Sequence, residues 1–225
     1  MKIILASESP RRYSLLKQMG WDVEVRSLPF AEVETVNAAT DRLALLRKNF
    51  LSAASPQHDE TFCEKDLVLL SPYRNADLVC AYNALGKGKA AAVVTGTDTP
   101  VIAADTIVVL GETILGKPAG PDEAKRMLKQ LSGKVHEVKT ATAVLYQDRT
   151  ILQVITTNVH FRKLTEKEID WYVQTGEPLD KAGAYGIQGK GAVLVEKIEG
   201  SYDNVVGLPL VAVYEILSKI CFDNI

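Results

Sequence analysis

Short strand-like and helix-like segments alternate along this chain, which predicts a mixed α/β fold with helices on the faces of a sheet. Three observations carry that prediction. The apolar run Ile3-Ile4-Leu5 is followed at once by a helix-start signal. Residues 101–110, "VIAADTIVVL", form the near-continuous apolar stretch expected of a strand buried on both faces. Two β-rich runs, about 136–146 and 150–163, then follow one another with no helix between them, so the sheet cannot be purely parallel.

Each element has its own reason. Lys2 to Ala6 reads as a short buried strand. In the next segment Ser9 suits a helix N-cap, Pro10 the first helical position and Gly20 the end. Leu15, Leu16 and Met19 give that helix its apolar face. Trp21 to Arg26 alternates as a half-buried strand does, and Asp41 to Phe50 has helical spacing. The pattern then loosens over about 51–82, where Pro56 and Pro72 fall in mixed periodicity. This stretch reads as an insertion in a single domain spanning 1–225. After the 101–110 strand, Pro121 opens a helix with Asp122 and Glu123 in its first turn, where anions are favoured, and Gly133 ends it. Thr165 and Glu168 form a capping box for a helix holding Trp171 and Tyr172. Val193 to Ile198 is a further strand, and a helix over about 209–220 closes the chain.

Composition narrows the function. A net charge of −2 disfavours a nucleic-acid binder. No apolar run reaches the ~18 residues of a membrane span. Cys63, Cys80 and Cys221 are odd in number and scattered, which fits free thiols in a reducing cytoplasm better than disulfides or a zinc site. His58, His136 and His160 show no metal-ligand spacing either.

Four stretches break their local pattern, and such conflicts mark candidate sites. In "SESPRR" two cations, Arg11 and Arg12, occupy the start of a helix, where partial positive charge already resides. A bound phosphate would supply the missing anion, and the guanidinium fork fits it; solvated helix-surface arginines are the alternative. In "AADT", Asp105 interrupts an apolar strand and needs a cation, a donor or a metal. Lys117 sits on the stiff turn "LGKPAGP", where it would serve as a fixed phosphate cation or lie in solvent. In 178–209, Gly183, Gly186, Gly189 and Gly191 allow close approach to a ligand, with Gln188 at the lip to read a base edge. Neither this run nor "LGKGKA" at 85–90 has Walker spacing.

Taken together, "LASESPRR", "AADTIVVLGETILGKP", "LSGKVHEVKTATAV" and "EPLDKAGAYGIQGKGAVLVEKIEGSYDNVVGLPL" resemble, in that order, the Maf family of nucleotide pyrophosphatases. The likeness covers nearly the whole chain outside 51–82. It implies an elongated mixed sheet with flanking helices, in two lobes with a central cleft, related to inosine triphosphatases. It implies hydrolysis of a nucleoside triphosphate to the monophosphate and pyrophosphate with a divalent metal, Mg²⁺ or Mn²⁺, and a homodimer. By the same likeness Asp105 matches the catalytic carboxylate, and Ser7, Arg12, Lys89 and Lys117 match positions around the phosphates. Arg11, Thr106 and Gln188 match the subgroup acting on dTTP, UTP and related modified pyrimidine nucleotides; the 7-methylguanine subgroup tends to carry Trp, Gln and Glu there.

Two departures stand out. The family's acidic pair after the second strand is here "AEVET", with Glu34 in one place, Thr35 in the other and Glu32 as a substitute. The insertion is the second. The expected chemistry is attack of water on the α-phosphorus, with Asp105 either holding the metal beside Glu34 or taking the proton itself. The rivals are the same reaction on a modified purine nucleotide and a non-catalytic nucleotide-binding regulator of cell division.

Overall fold

The computed structural model describes residues 1–51 and 62–221. Strand β1 (Lys2–Leu5) leads into helix α1 (Pro10–Gln18), and β2 (Asp22–Val25) lies parallel to β1 with Lys2 opposite Asp22. Helices α2 (Val36–Leu51), α3 (Glu64–Leu70) and α4 (Asn75–Thr95) precede β3 (Val101–Leu110), which pairs with β1, also parallel. A hairpin joins β3 to β4 (Thr113–Leu115). Helix α5 (Pro121–Leu131), the long strands β5 (Val135–Tyr146) and β6 (Arg149–Phe161), and helix α6 (Glu166–Gln174) come next. Three short 3-10 turns lead to β7 (Val195–Glu199), antiparallel to β6, and then to α7 (Tyr202–Val206) and α8 (Leu210–Cys221). Among the described residues the strand order is β2-β1-β3-β5-β6-β7, with β4 on β3. This is the mixed sheet with flanking helices that the sequence predicts.

The local signals act as expected at most ends. The Ser9 hydroxyl accepts from the Arg12 amide at 3.5 Å and starts α1. At α6 the Thr165 hydroxyl accepts from the Glu168 amide, and the Glu168 carboxylate accepts from the Thr165 amide at 2.8 Å. Helix α2 starts five residues before the expected Asp41. Thr35, unassigned as a cap in the sequence, accepts from the Ala38 amide at 3.1 Å there.

Of the stretch 51–82, residues 52–61 lie outside the described residues. The remainder is largely helical, made of α3 and the first turns of α4. Helix α4 escapes a periodicity reading because Leu78 through Leu85 are all buried. A helix apolar on every side shows no 3.6-residue stripe.

The chain forms two compact units: residues 1–105, 141–154 and 210–225, and residues 106–140 and 155–209. Strands β3, β5 and β6 contribute to both. The core of the first unit includes Ile3, Leu5, Leu16, Leu85 and Ile102. That of the second gathers Leu128 and Leu131 of α5 with Phe161, Tyr172 and Leu194.

Candidate active site

Asp105 sits in β3 and is only 7 % exposed. Burying a carboxylate this deeply is costly unless both oxygens find donors. Helix α4 supplies them. Lys87 Nζ lies 2.7 Å from Asp105 Oδ1, and Asn83 Nδ2 donates to Oδ2 at 3.2 Å. Residues 83 and 87 are four apart, so they share one helix face. Asn83 is itself fixed: its Oδ1 accepts from the Val33 amide and its Nδ2 donates to the Val33 carbonyl, both at 2.9 Å. The same segment packs the Phe30 ring on Gly86, where any Cβ would collide with it. The segment is thereby held against α4, and Glu32 Oε2 reaches Lys87 Nζ at 2.9 Å. One ammonium thus lies between two carboxylates.

The turn after β1 stands next to this cluster. The Ala6 amide donates to the Ile102 carbonyl at 2.8 Å, so the chain leaves the carboxyl end of β1 beside the first residues of β3, just before Asp105. In open α/β sheets ligands bind outside the carboxyl ends of strands, and β1 presents such an end here. Ser7 is buried; its hydroxyl accepts from Arg12 Nη1 at 3.0 Å and from the Ser9 amide at 3.3 Å. Burial pulls the Arg12 guanidinium below its ordinary pKa; the Asp105 charge opposes this and neighbouring Arg11 adds to it. Arg12, Ser7 and Asp105 therefore belong to one electrostatic neighbourhood in the first unit.

In the second unit, Thr106 Oγ1 lies 3.0 Å from Thr140 Oγ1 and 3.4 Å from the Gly207 carbonyl. Lys117 and Gln188 are exposed. The Gly116 carbonyl, beside Lys117, accepts from the Gly183 amide at 3.0 Å and ties that turn to the glycine-rich segment. That segment has three further anchors. The Tyr172 hydroxyl accepts from the Gly186 amide at 3.1 Å, the Glu177 carboxylate accepts from the Lys190 amide at 3.2 Å, and the Tyr185 hydroxyl lies 2.7 Å from His136 Nε2. A Cβ at Gly191 would strike the Gly186 carbonyl and lie 2.6 Å from the Tyr172 hydroxyl, so only glycine closes this packing. Burial, with His160 nearby, holds His136 down to about 4, and burial raises the Tyr185 phenol.

The structure brings Ser7, Arg12 and Asp105 together and shows partners of other expected residues. Lys89 pairs with buried Asp66 at 3.0 Å. Glu32 and Glu34 are both exposed, and it is Glu32 that pairs with Lys87 of the Asp105 cluster. Lys87 and Asn83 were not anticipated from sequence. The signal was two polar residues at i and i+4 inside an apolar helix, hidden while that helix itself went unread. Among the described residues no three His, Cys, Asp or Glu side chains gather as a metal site. The Asp105 and Glu32 carboxylates do converge on one cation position, and their hard oxygen donors suit Mg²⁺ or Mn²⁺.

The Maf-like protein family matches residues 2–220. The chain is 39% identical over 221 residues to the dTTP/UTP pyrophosphatase of Dictyoglomus thermophilum, covering 97% of this chain and 96% of that one. It is 40% identical to the dTTP/UTP pyrophosphatase of Bacillus cereus strain G9842, with 99% and 97% covered, and 42% identical to that of Thermosipho africanus, with 96% and 92% covered. A solved HAM1 protein from Coxiella burnetii aligns over 97% of this chain at a TM-score of 0.45 and 16% identity, a likeness too distant to carry weight. A match over nearly the full length, with relatives at about 40% identity, leaves one conclusion: this chain belongs to the Maf family.

Proposed function

We propose that the protein hydrolyses dTTP, UTP or related modified pyrimidine nucleotides to the monophosphate and pyrophosphate. The observation that carries this reading is the buried Asp105 within β3, just past the point where the paired strand β1 ends, beside the Ser7–Arg12 turn. The names of the relatives support the same nucleotides.

Water attacks the α-phosphorus, the bond to the α–β bridging oxygen breaks, and pyrophosphate leaves with the electron pair. Asp105 orients the water and takes its proton. Arg12, with its fork held by Ser7, and Lys87 offset the charge on the phosphates and leaving group. Lys117 supplies a further cation from its turn, and so does Lys89, which is paired with Asp66 in the structure. The start of α1 adds backbone N–H groups that favour an anion. A divalent metal would be held by Asp105 with Glu32 or Glu34, and when bound it polarises phosphate oxygens. Arg11, Thr106 and Gln188 select the base. The three cysteines, free thiols here, suit a cytoplasmic enzyme.

The test is pyrophosphate release from dTTP, UTP, purine and 7-methylguanine nucleotides, with Mg²⁺ and Mn²⁺ varied and Asp105→Asn alongside. The pyrimidine nucleotides are expected to turn over fastest. Asp105→Asn should lose about a thousandfold in kcat. Full activity in that variant sinks the role of Asp105, and tight nucleotide binding without turnover would make the protein a regulator.

A further inference from the structure

Lys87 holds an unusual position for a lysine in an enzyme that takes a divalent cation. Its Nζ is 2.7 Å from Asp105 and 2.9 Å from Glu32, with the lysine side chain itself only 17% exposed. Two carboxylate groups therefore already share one cation, in the manner of two hard ligands sharing a metal ion. We propose that Lys87 is a built-in stand-in for the divalent cation: it holds Asp105 and Glu32 together in the metal-free protein, and the metal enters by displacing it. The inference rests on the reading of Asp105 as a metal ligand.

Three features fit this exchange. Asp105 is buried, and a buried carboxylate without a counter-charge is strongly destabilising, so the metal-free protein requires a cation at this point. The cation is a lysine, a compact charge on a flexible stem that can swing away and keep its charge; an arginine fork would bind a carboxylate with two bonds and release it less readily. Asn83, pinned through Val33, donates to the other Asp105 oxygen. The carboxylate therefore keeps its orientation when Lys87 leaves. Lys89 cannot take this part while it is engaged with Asp66. The displaced ammonium is then available to the anionic phosphates beside Arg12. Metal alone must break two ion pairs, whereas metal arriving with a nucleotide gives Lys87 a new partner.

Calorimetric titration of the nucleotide-free protein with Mn²⁺ tests the exchange, using wild type, Lys87→Met and Lys87→Arg. Lys87→Met should bind Mn²⁺ at least about tenfold more tightly than wild type, and Lys87→Arg no more tightly. Lys87→Met should also melt lower without metal and gain more from Mn²⁺ than wild type does. Equal or weaker Mn²⁺ binding by Lys87→Met overturns the proposal, as does absence of Mn²⁺ binding in both. If Lys87→Met folds only with Mn²⁺ present, the proposal stands; if it folds in neither condition, the metal does not replace the lysine. A wild-type measurement needs no variant: acetylation of Lys87, read by peptide mass spectrometry, should accelerate several-fold when Mn²⁺ is added, and an unchanged rate counts against displacement. Pyrophosphate release by the same wild-type sample separates the two readings. Turnover without tighter binding in Lys87→Met removes only the exchange, and no turnover of any nucleotide removes the enzymatic reading itself.

Discussion

The Asp105 cluster and the glycine-rich segment 183–191 are built on opposite principles. Around Asp105 the contacts are mainly between charges: Lys87 against two carboxylates, and Arg12 under the influence of Asp105. Around the glycine segment they are mostly neutral: a tyrosine hydroxyl on an amide, a histidine on a second tyrosine, a close backbone approach at Gly191. Charge pairing would suit the proposed meeting of this cluster with a polyanion and a metal, because each partner can be exchanged for the ligand's charge. Mostly neutral packing would suit the part proposed for the segment carrying Gln188, because it holds that segment in one shape. Damage in the first region should therefore fall on every nucleotide alike, and damage in the second on stability and choice.

The largest expected effect tests the charged side. Arg12→Ala removes both the donor to Ser7 and a cation near Asp105. The expected loss is about a hundredfold to a thousandfold in kcat/KM, equal across the nucleotide panel. Arg11→Ala should instead change the ratio between pyrimidine and purine nucleotides, with a smaller change in the best rate. If Arg12→Ala spared one nucleotide class, the contrast between the two regions would fail.

A second test uses pH against the neutral side. His136 is buried and titrates near 4 when folded, against about 6.5 when unfolded. Below pH 6.5 the unfolded chain takes up a proton that the folded chain refuses, so stability falls as pH falls from about 6.5 to about 4. The loss amounts to up to about 3 kcal/mol at the acid end. Its measure is the difference between wild-type and His136→Gln melting temperatures across that range, since glutamine can still meet the Tyr185 hydroxyl without titrating. A difference that stays flat with pH would mean that this pair carries no linked proton.

The same contrast explains what the sequence revealed. Arg12 and Asp105 were legible because each violates its surroundings, a cation at a helix start and an acid in an apolar strand, whereas Ser7 came only through the family resemblance. The β1–α1 turn, the α6 capping box and the long β5 and β6 strands follow from caps and alternation, which are local. Lys87 and Asn83 were hidden because α4 is buried all round, and without its helical register the two residues cannot be seen to share a face. The choice between Glu32 and Glu34 was equally closed to local reasoning. It depends on the Phe30 ring packing on Gly86 and on Asn83 clasping Val33, contacts made across 50 residues of sequence or more. The anchors on Tyr172 and His136 are likewise long-range, although the glycine spacing announced that something had to pack closely there.

The smallest expected effect is the sharpest test of the neutral region. Tyr172 is fully buried, and its hydroxyl accepts from the Gly186 amide close to where Gly191 leaves no room for a side chain. Tyr172→Phe keeps the ring and removes the oxygen, so the packing stays while a partly buried N–H loses its acceptor. That costs about 1–2 kcal/mol, or a melting temperature lower by a few degrees in a chain of this size. If this segment serves only the choice of base, kcat on the preferred nucleotide should change by less than about twofold. The preference for pyrimidines should narrow, because the segment carrying Gln188 is held less firmly. Equal losses on every nucleotide with the preference intact would show that this segment serves the chemistry and not the choice of base, and the division between the two regions would then have to be redrawn.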